Sequence, residues 1–230
     1  TNRQQATGGQ LPETIDEAKL RAPQQFRTRD RAVTKEDFEY LAVQASRDVV
    51  KAHCVQPIIP GIEPQTHGNL VKVLLISHRA NEVERPSMSD LEISQTVIDD
   101  VTGFLDERRL LGTSMFVQAA EFISVSLEAV VKLKTGANSD VAHSAVLDCL
   151  YAYIHPTKGG IDGEGWEFGR DFHVSELFSR IQIISEVDYT LEIKAYVVDP
   201  ENGDRSDALQ YIEVDPGITL RSDVHQVNFV

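Results

Sequence analysis

The sequence predicts an α+β fold, with two small, mainly antiparallel sheets each backed by helices. Three observations predict it. Apolar residues recur with a period of two in some segments and near 3.6 in others, so strands and helices share the chain. The segments lack the strict strand–helix–strand alternation of a doubly wound parallel sheet. The strand-like segments also come in neighbouring pairs separated by Pro, Gly and Asn, the punctuation of hairpins.

The elements follow in order. Residues 1–13 are polar, contain Gly8-Gly9 and Pro12, and read as a linker. Thr14 and Glu17 stand three apart as a capping box, so a short helix should follow and stop before Pro23. Thr34 and Asp37 repeat the signal, and Phe38, Leu41, Ala42 and Ala45 then fall on one helical face. Strands are predicted over 49–56 and 70–77, the second almost continuously apolar, as a central strand would be. Pro57, Pro60, Gly61, Pro64 and Gly68 punctuate their connection. Ser89 and Glu92 open the longest predicted helix, to about Arg109, with Ile93, Val97, Val101, Phe104 and Leu105 as its buried stripe. Gly112 is well placed to end it. Residues 14–112 thus read as a helix–helix–hairpin–helix unit, with a soft boundary near Gly112.

Residues 113–230 read as a second α+β unit. Val125, Leu127, Ala129, Val131 and Leu133 alternate with more polar positions, giving a half-buried strand. Ala142, Ala145, Val146, Cys149, Leu150 and Tyr153 make a helical stripe. A Gly-rich loop covers 158–170, and a short helix is predicted over 175–183. Tyr189, Leu191, Ile193, Ala195 and Val197 form another strand face. Glu201-Asn202-Gly203-Asp204 is a turn, after which 209–214 should return as a hairpin partner. Pro216-Gly217 and a polar tail close the chain.

Composition narrows the function. The 230 residues include 22 Lys and Arg against 36 Asp and Glu, a net charge of −14. A phosphate backbone rewards clustered cations, so this balance argues against nucleic acid as a partner. At 41% apolar residues the chain can build a core, yet no run approaches the ~18 apolar residues of a membrane span. Residue 1 is Thr and no leader pattern follows, so a signal peptide is not expected and the chain is expected to be a piece of a longer polypeptide. Cys54 and Cys149 read as two buried free thiols, which suits folding in a reducing compartment.

Four constellations invite chemistry and fail on spacing. Gly163, Gly165 and Gly169 give G-x-G-x-x-x-G rather than a dinucleotide loop, and Asp162, Glu164 and Glu167 would repel phosphate. The same acids lack the order of a calcium loop. Asp171, His173 and Ser175 alternate along one short segment, so a triad is not expected; a strand leading into a helix capped by Ser175 is. The seven histidines, at 53, 67, 78, 143, 155, 173 and 225, match no zinc spacing. No catalytic residue, metal site or cofactor is therefore assigned.

One local feature opposes the global charge. Arg21, Arg27, Arg29, Arg31 and Lys35 sit close together around Asp30. Arg forks pair carboxylates, so in an acidic chain this strip is a candidate seat for an acidic partner surface.

Four ordered stretches also resemble a known family. They are Glu17-Ala18-Lys19 through Arg21-Ala22-Pro23 and Arg27-Thr28-Arg29-Asp30-Arg31-Ala32-Val33-Thr34 to Glu36-Asp37-Phe38; Arg108-Arg109-Leu110-Leu111-Gly112-Thr113; Ile123-Ser124-Val125-Ser126-Leu127; and Tyr153-Ile154-His155-Pro156 with the loop Gly159-Gly160-Ile161-Asp162-Gly163-Glu164-Gly165-Trp166-Glu167-Phe168-Gly169-Arg170 and Val174-Ser175-Glu176-Leu177. Together, over about residues 8–200, they resemble the C-terminal part of the baseplate J-like family, and more closely the baseplate assembly proteins of phage-tail-like contractile injection systems. The resemblance implies a structural wedge protein and not an enzyme. Such a protein assembles in the cytoplasm into a particle with other wedge subunits, around a hub and spike and under the sheath and inner tube. It carries over no residue roles. The interface candidates are Arg27, Arg29 and Arg31 from the basic strip, and Gly159, Gly160, Trp166, Phe168, Gly169 and Arg170 from the loop. The alternative from the residues alone is a small-molecule-sensing α+β regulatory module, which would show a deep pocket of converging polar groups.

Overall fold

The computed structural model describes residues 14–57 and 69–230. The linker expected over 1–13 and the Pro/Gly punctuation from Pro60 to Gly68 lie outside the described residues. The chain is α+β, with three small sheets.

The first sheet has the order β1-β2-β3, from β1 (Val49–Val55), β2 (Leu70–Ser77) and β3 (Ser114–Ala119). β1 and β2 are an antiparallel hairpin, as the alternation predicted. β3 runs parallel to β2. On one face Ala52, Cys54, Val73 and Leu75 meet two helices, α2 (Lys35–Ala45) and α5 (Gln95–Asp106), through Phe38, Leu41, Ala42, Val97, Val101 and Leu105. α2 begins on the predicted capping box: Thr34 Oγ1 accepts the Asp37 N–H and the Asp37 carboxylate accepts the Thr34 N–H.

The second sheet is built on β4 (Glu121–Leu133), which pairs antiparallel with β6 (Val187–Val198) and parallel with β8 (Ile218–Ser222) and β9 (Gln226–Phe229). Its core joins Val125, Leu127, Ala129 and Val131 to Val146, Leu150 and Tyr153 of α6 (Ser139–Tyr153) and to Leu177 and Ile181 of α7 (Ser175–Gln182). The third sheet is a two-residue pairing of β5 (Phe172–His173) with β7 (Tyr211–Ile212). A small cluster of Ile76, Ala80 and Leu91, flanked by Val50, Ala120, Phe122 and Phe168, joins the two larger cores.

Several expectations need correction. The first helix, α1 (Ile15–Thr28), passes through Pro23. A proline's cost falls on one turn, whereas the helix end is held by tertiary contact. Thr28 and Ala32 are buried, Arg29 and Asp30 take left-handed φ values of 47° and 57°, and the Ala32 N–H bonds the Arg108 carbonyl at 2.9 Å.

The single helix predicted over 89–109 is broken. α3 (Arg79–Glu82) and α4 (Met88–Leu91) precede α5, and Ser87 with Asp90, not Ser89 with Glu92, forms the capping box of α4. Glu92 and Ser94 are extended (ψ 138° and 150°), and Ser94 Oγ caps α5. The break lets Leu91 serve the junction cluster while Val97, Val101 and Leu105 serve the first core. α5 ends at Asp106, so Gly112 lies instead in the turn into β3. β3 itself, beyond Gly112, belongs to the first sheet, and the chain passes between sheets at Ala120.

The predicted stripe on β6 shifts phase. Ladder irregularities opposite Val130–Val131 and Lys132–Leu133 insert extra residues into β6, so Tyr189 and Leu191 face solvent while Val187 and Ile193 are buried. The return over 209–214 pairs with β6 only at Leu209, opposite Ala195; Tyr211 and Ile212 leave for β5. α7 follows Val174 in a helical conformation, and no Ser175 side chain caps it.

The polar tail is in fact β8 and β9. Its polar residues form a buried clamp on β4. Arg221 Nε donates to Ser124 Oγ (2.8 Å) and its Nη2 reaches Asp223 Oδ2 (3.1 Å). Ser126 Oγ donates to the Val224 carbonyl. His225 Nδ1 accepts the Leu127 N–H at 3.0 Å, which leaves the ring proton on Nε2, facing Ser222 Oγ at 3.1 Å. Burial, helped by the charges of Arg85 and Arg205, pushes the His225 pKa down to about 3.

A pH dependence follows. Below the unfolded value of about 6.5 the unfolded chain takes up a proton that native His225 refuses. This contribution to stability is complete above pH 6.5 and is lost as pH falls toward 3, with a slope of up to about 1.4 kcal/mol per pH unit. Urea unfolding midpoints at pH 7 and pH 5 should therefore differ more for the native chain than for His225→Asn.

Candidate interaction surfaces

The Gly-rich loop is organised from inside. His155, buried at the end of α6, accepts the Thr157 and Lys158 N–H groups at Nδ1 (3.2 Å each) and donates from Nε2 to the Val83 carbonyl (2.9 Å). Burial lowers its pKa, so the neutral ring that these bonds require is favoured. The loop then closes on α6: Gly159 N–H bonds the His155 carbonyl, Gly160 N–H the Tyr153 carbonyl, and Trp166 N–H again the His155 carbonyl. Two glycines are demanded by this closure. A Cβ on Gly159 would lie 2.4 Å from the Tyr153 carbonyl oxygen, and one on Gly165, at φ 89°, would lie 2.2 Å from that of Pro156.

The rings in the loop point inward. Trp166 is fully buried, edge-on to Tyr153 (5.4 Å), near Phe172 (5.7 Å), and donating from Nε1 to the Arg170 carbonyl at 3.0 Å. The Arg170 guanidinium covers the Trp166 ring at 4.5 Å and pairs with Glu176 Oε2 at 2.6 Å. Glu176 also accepts the Tyr153 hydroxyl. Phe168 stacks on His53 of β1 at 4.6 Å, and Lys51 Nζ bonds the Glu164 carbonyl at 3.0 Å. Gly169 donates to the Ile218 carbonyl and lies against Pro216. All six loop candidates thus make contacts within this chain, and the Trp166 ring has no surface to offer a partner. What the loop shows to solvent is its tip, 161–164, with Ile161 65% exposed beside Asp162 and Glu164, together with Lys158 and Glu167.

The basic strip divides. Arg27 Nη2 lies 3.5 Å from Asp37 Oδ1, a buried oxygen with no hydrogen bond, so the two interact as charges. Arg27 therefore belongs partly to the cap of α2. Arg29 and Arg31 are exposed and form no ion pair among the described residues. The parallel Ala32–Arg109 bridge runs the segment that follows them alongside the α5–β3 turn; there Val33 is 54% exposed, Leu110 is 45% exposed and Leu111 is wholly exposed. Sequence reasoning found the arginines and missed this aliphatic ridge, as well as the organising role of His155.

The chemistry-bearing residues are engaged elsewhere. Asp171 accepts the Tyr211 hydroxyl (2.7 Å) and the Val214 N–H (2.9 Å), which ties β7 down, and the His173 ring tilts against Tyr211. Burial, with Glu39 nearby, pushes the Cys54 thiol up to about 12, and burial also raises Cys149. Neither thiol is a ready nucleophile. Among the described residues no three His, Cys, Asp or Glu come together as a metal site. A cavity of ≈ 500 Å³ is walled by charged residues such as Asp48, His78, Arg79, Glu82 and Glu92. A second, of ≈ 260 Å³, holds the Arg85–Asp148 pair and Tyr151. The first is more polar than small-ligand sites, which are mostly apolar with a few placed polar groups.

No protein-family model matches the chain, and no curated protein does. The fold is similar to that of a chain in a cryo-EM structure of the anti-feeding prophage (AFP) baseplate, 6-fold symmetrised. The TM-score is 0.63 at 15% identity, over 94% of this chain and 43% of that one. This chain thus spans less than half the length of the baseplate chain, and at this identity the likeness is one of fold.

The inward loop makes Gly165 a stability position. Gly165→Ala should cost about 2–4 kcal/mol, because it combines a left-handed backbone with a backbone clash. Trp166 is the single tryptophan, so its emission should shift to the red as the loop is displaced, readable by fluorescence alongside the melt.

Proposed function

We propose that this chain is a structural baseplate component of a contractile, phage-tail-like injection system: a wedge protein that assembles with other wedge subunits around the hub and takes part in the triggering rearrangement. The observation that carries this reading is the fold likeness to a baseplate chain over 94% of the residues at a TM-score of 0.63. The ordered motifs from Glu17 to Leu177 support it independently.

The role is mechanical. Its partners are other wedge proteins, of the same or another kind, with the hub and spike and the base of sheath and tube next to them. Assembly takes place in the cytoplasm, within the particle. Nucleic acid is not a partner of a surface this acidic, and no helix among the described residues is long and apolar enough to cross a membrane. A device with two arrangements needs contacts that differ in free energy between them. Polar contacts at the junction of the two larger cores suit remaking: Arg85 with Asp148, and Lys51 with the Glu164 carbonyl. Arg29 and Arg31 supply the basic contact surface, and the Gly-rich loop contributes through its tip.

The test is co-expression with the other tail components, purification of particles, and location of this chain by cryo-electron microscopy. It should appear at the baseplate. Intact particles that lack it, with the chain recovered alone, would overturn the reading. Arg29→Glu with Arg31→Glu should leave circular dichroism unchanged and lower incorporation by about tenfold, equivalent to about 1.4 kcal/mol of contact energy. Arg27→Glu should instead lower the melting temperature, because it sets a second carboxylate beside buried Asp37.

A further inference from the structure

A side chain takes the place of backbone where the closing strands meet β4. β8 ends with Ser222 opposite Val125, and β9 begins with Gln226 opposite Glu128. Residues 223–225 thus stand where β4 has only Ser126 and Leu127, and the extra residue interrupts the ladder. The Leu127 N–H at this gap bonds His225 Nδ1 at 3.0 Å, and the buried ring donates from Nε2 to Ser222 Oγ at 3.1 Å. The imidazole therefore stands in for a backbone carbonyl. It does so only while neutral, because a charged ring carries a proton on both nitrogens and turns one of them against the Leu127 N–H.

The surroundings oppose that charge. Tyr151 of α6 lies 4.4 Å from the His225 ring, Arg85 covers Tyr151 at 4.2 Å, and Arg205 acts from the chain between β6 and β7. The carboxylates of the two strands are engaged elsewhere: Asp223 with Arg221 Nη2 (3.1 Å) and the Val224 N–H (2.7 Å), Glu128 with the Tyr196 hydroxyl (3.2 Å) and Asn228 (3.3 Å). His143 of α6 meets Phe229 edge-on at 6.1 Å.

The closing segment is held mainly by hydrogen bonds. Asp223 N–H bonds the Val125 carbonyl (2.8 Å), His225 N–H the Tyr151 hydroxyl (3.2 Å), and Val230 N–H the Val131 carbonyl (3.2 Å). Its apolar anchor is Val227, with Phe229 half-buried. β4 meanwhile keeps its ladder to β6 from Ser124 to Leu133 on the other side, so it stays placed without the segment.

We propose that residues 223–229 are an acid-released strap: one proton taken up by His225 frees the segment from β4, while the β4–β6 pair stays folded, and uncovers the strand edge from Leu127 to Val131. Release also takes the His225 ring away from Tyr151, the ring that Arg85 covers where it pairs with Asp148 at 2.9 Å, so the strap is tied to the junction of the two larger cores. The strapped ring titrates at about 3, and a ring released into water at about 6.5. Opening therefore takes up a proton below pH 6.5, and its equilibrium constant rises about 25-fold from pH 7 to pH 5.

The experiment is amide hydrogen exchange, read by mass spectrometry on the 230-residue chain at pH 7 and pH 5 and corrected for the intrinsic effect of pH on exchange. Peptides covering 223–230 should be less protected than peptides covering β6 at both pH values, and their protection should fall about 25-fold at pH 5. His225→Asn offers the Leu127 N–H a carbonyl that does not titrate, so protection of 223–230 should then be the same at both. A native segment with equal protection at the two pH values, or one that exchanges only together with β6, would overturn the strap. So would an Asn variant whose protection falls as in the native chain, which would assign the proton to His143, Asp223 or Glu128. The comparison of the segment with β6 is made on the native chain and decides whether or not the variant folds.

Discussion

One extended stretch of chain, 114–133, is a strand of both large sheets. As β3 it runs beside β2, and as β4 it carries β6, β8 and β9. At the crossing, the Ala120 N–H bonds the Leu75 carbonyl at 2.8 Å, and Ala120 and Phe122 pack with Ile76 and Leu91. A backbone hydrogen bond buried among apolar side chains is costly to leave unmade. The two cores are therefore fixed through a common strand, and their remaining contacts are side-chain pairs at the margins.

That arrangement explains where the charged and polar features end up. The first sheet has helices on one face and irregular chain on the other. The helices on the first face bring α1 and the α5–β3 turn together, which exposes Arg29, Arg31 and Leu111. The irregular chain on the other face is the Gly-rich loop, pinned by Trp166 and Phe168, with an acidic tip left over. The closing strands, β8 and β9, then complete β4 from its other side, and their polar residues become internal partners. Arg221 and His225 are consequently parts of a clamp, with each hydrogen bond inside the chain.

The proposed structural role needs this combination. Cores that do not yield hold the surfaces in register, and side-chain contacts that can be exchanged would give such an assembly a second arrangement. In this chain the titratable and nucleophilic side chains serve the first requirement: Asp171 anchors β7, His155 shapes the loop, and Cys54 is sealed under α2.

The sequence by itself determined what depends on neighbours along the chain. The Thr34–Asp37 cap, the β1–β2 hairpin, the stripe of α6, the alternation of β4 and the presence of a tight Gly-rich loop were all legible, because caps, periodicity and turns are local in their physics. The arginine strip was legible for the same reason. Only the tertiary structure decided what depends on distant partners. A second core demand broke the 89–109 helix at Glu92, unpaired residues flipped Tyr189 and Leu191 outward, and β4 recruited a tail too polar to announce itself as strand. It also turned Trp166 inward, gave Arg27 to Asp37, and left Leu111 wholly exposed. Burial and pairing are properties of the whole packed chain, and no local pattern encodes which surface remains when packing is done.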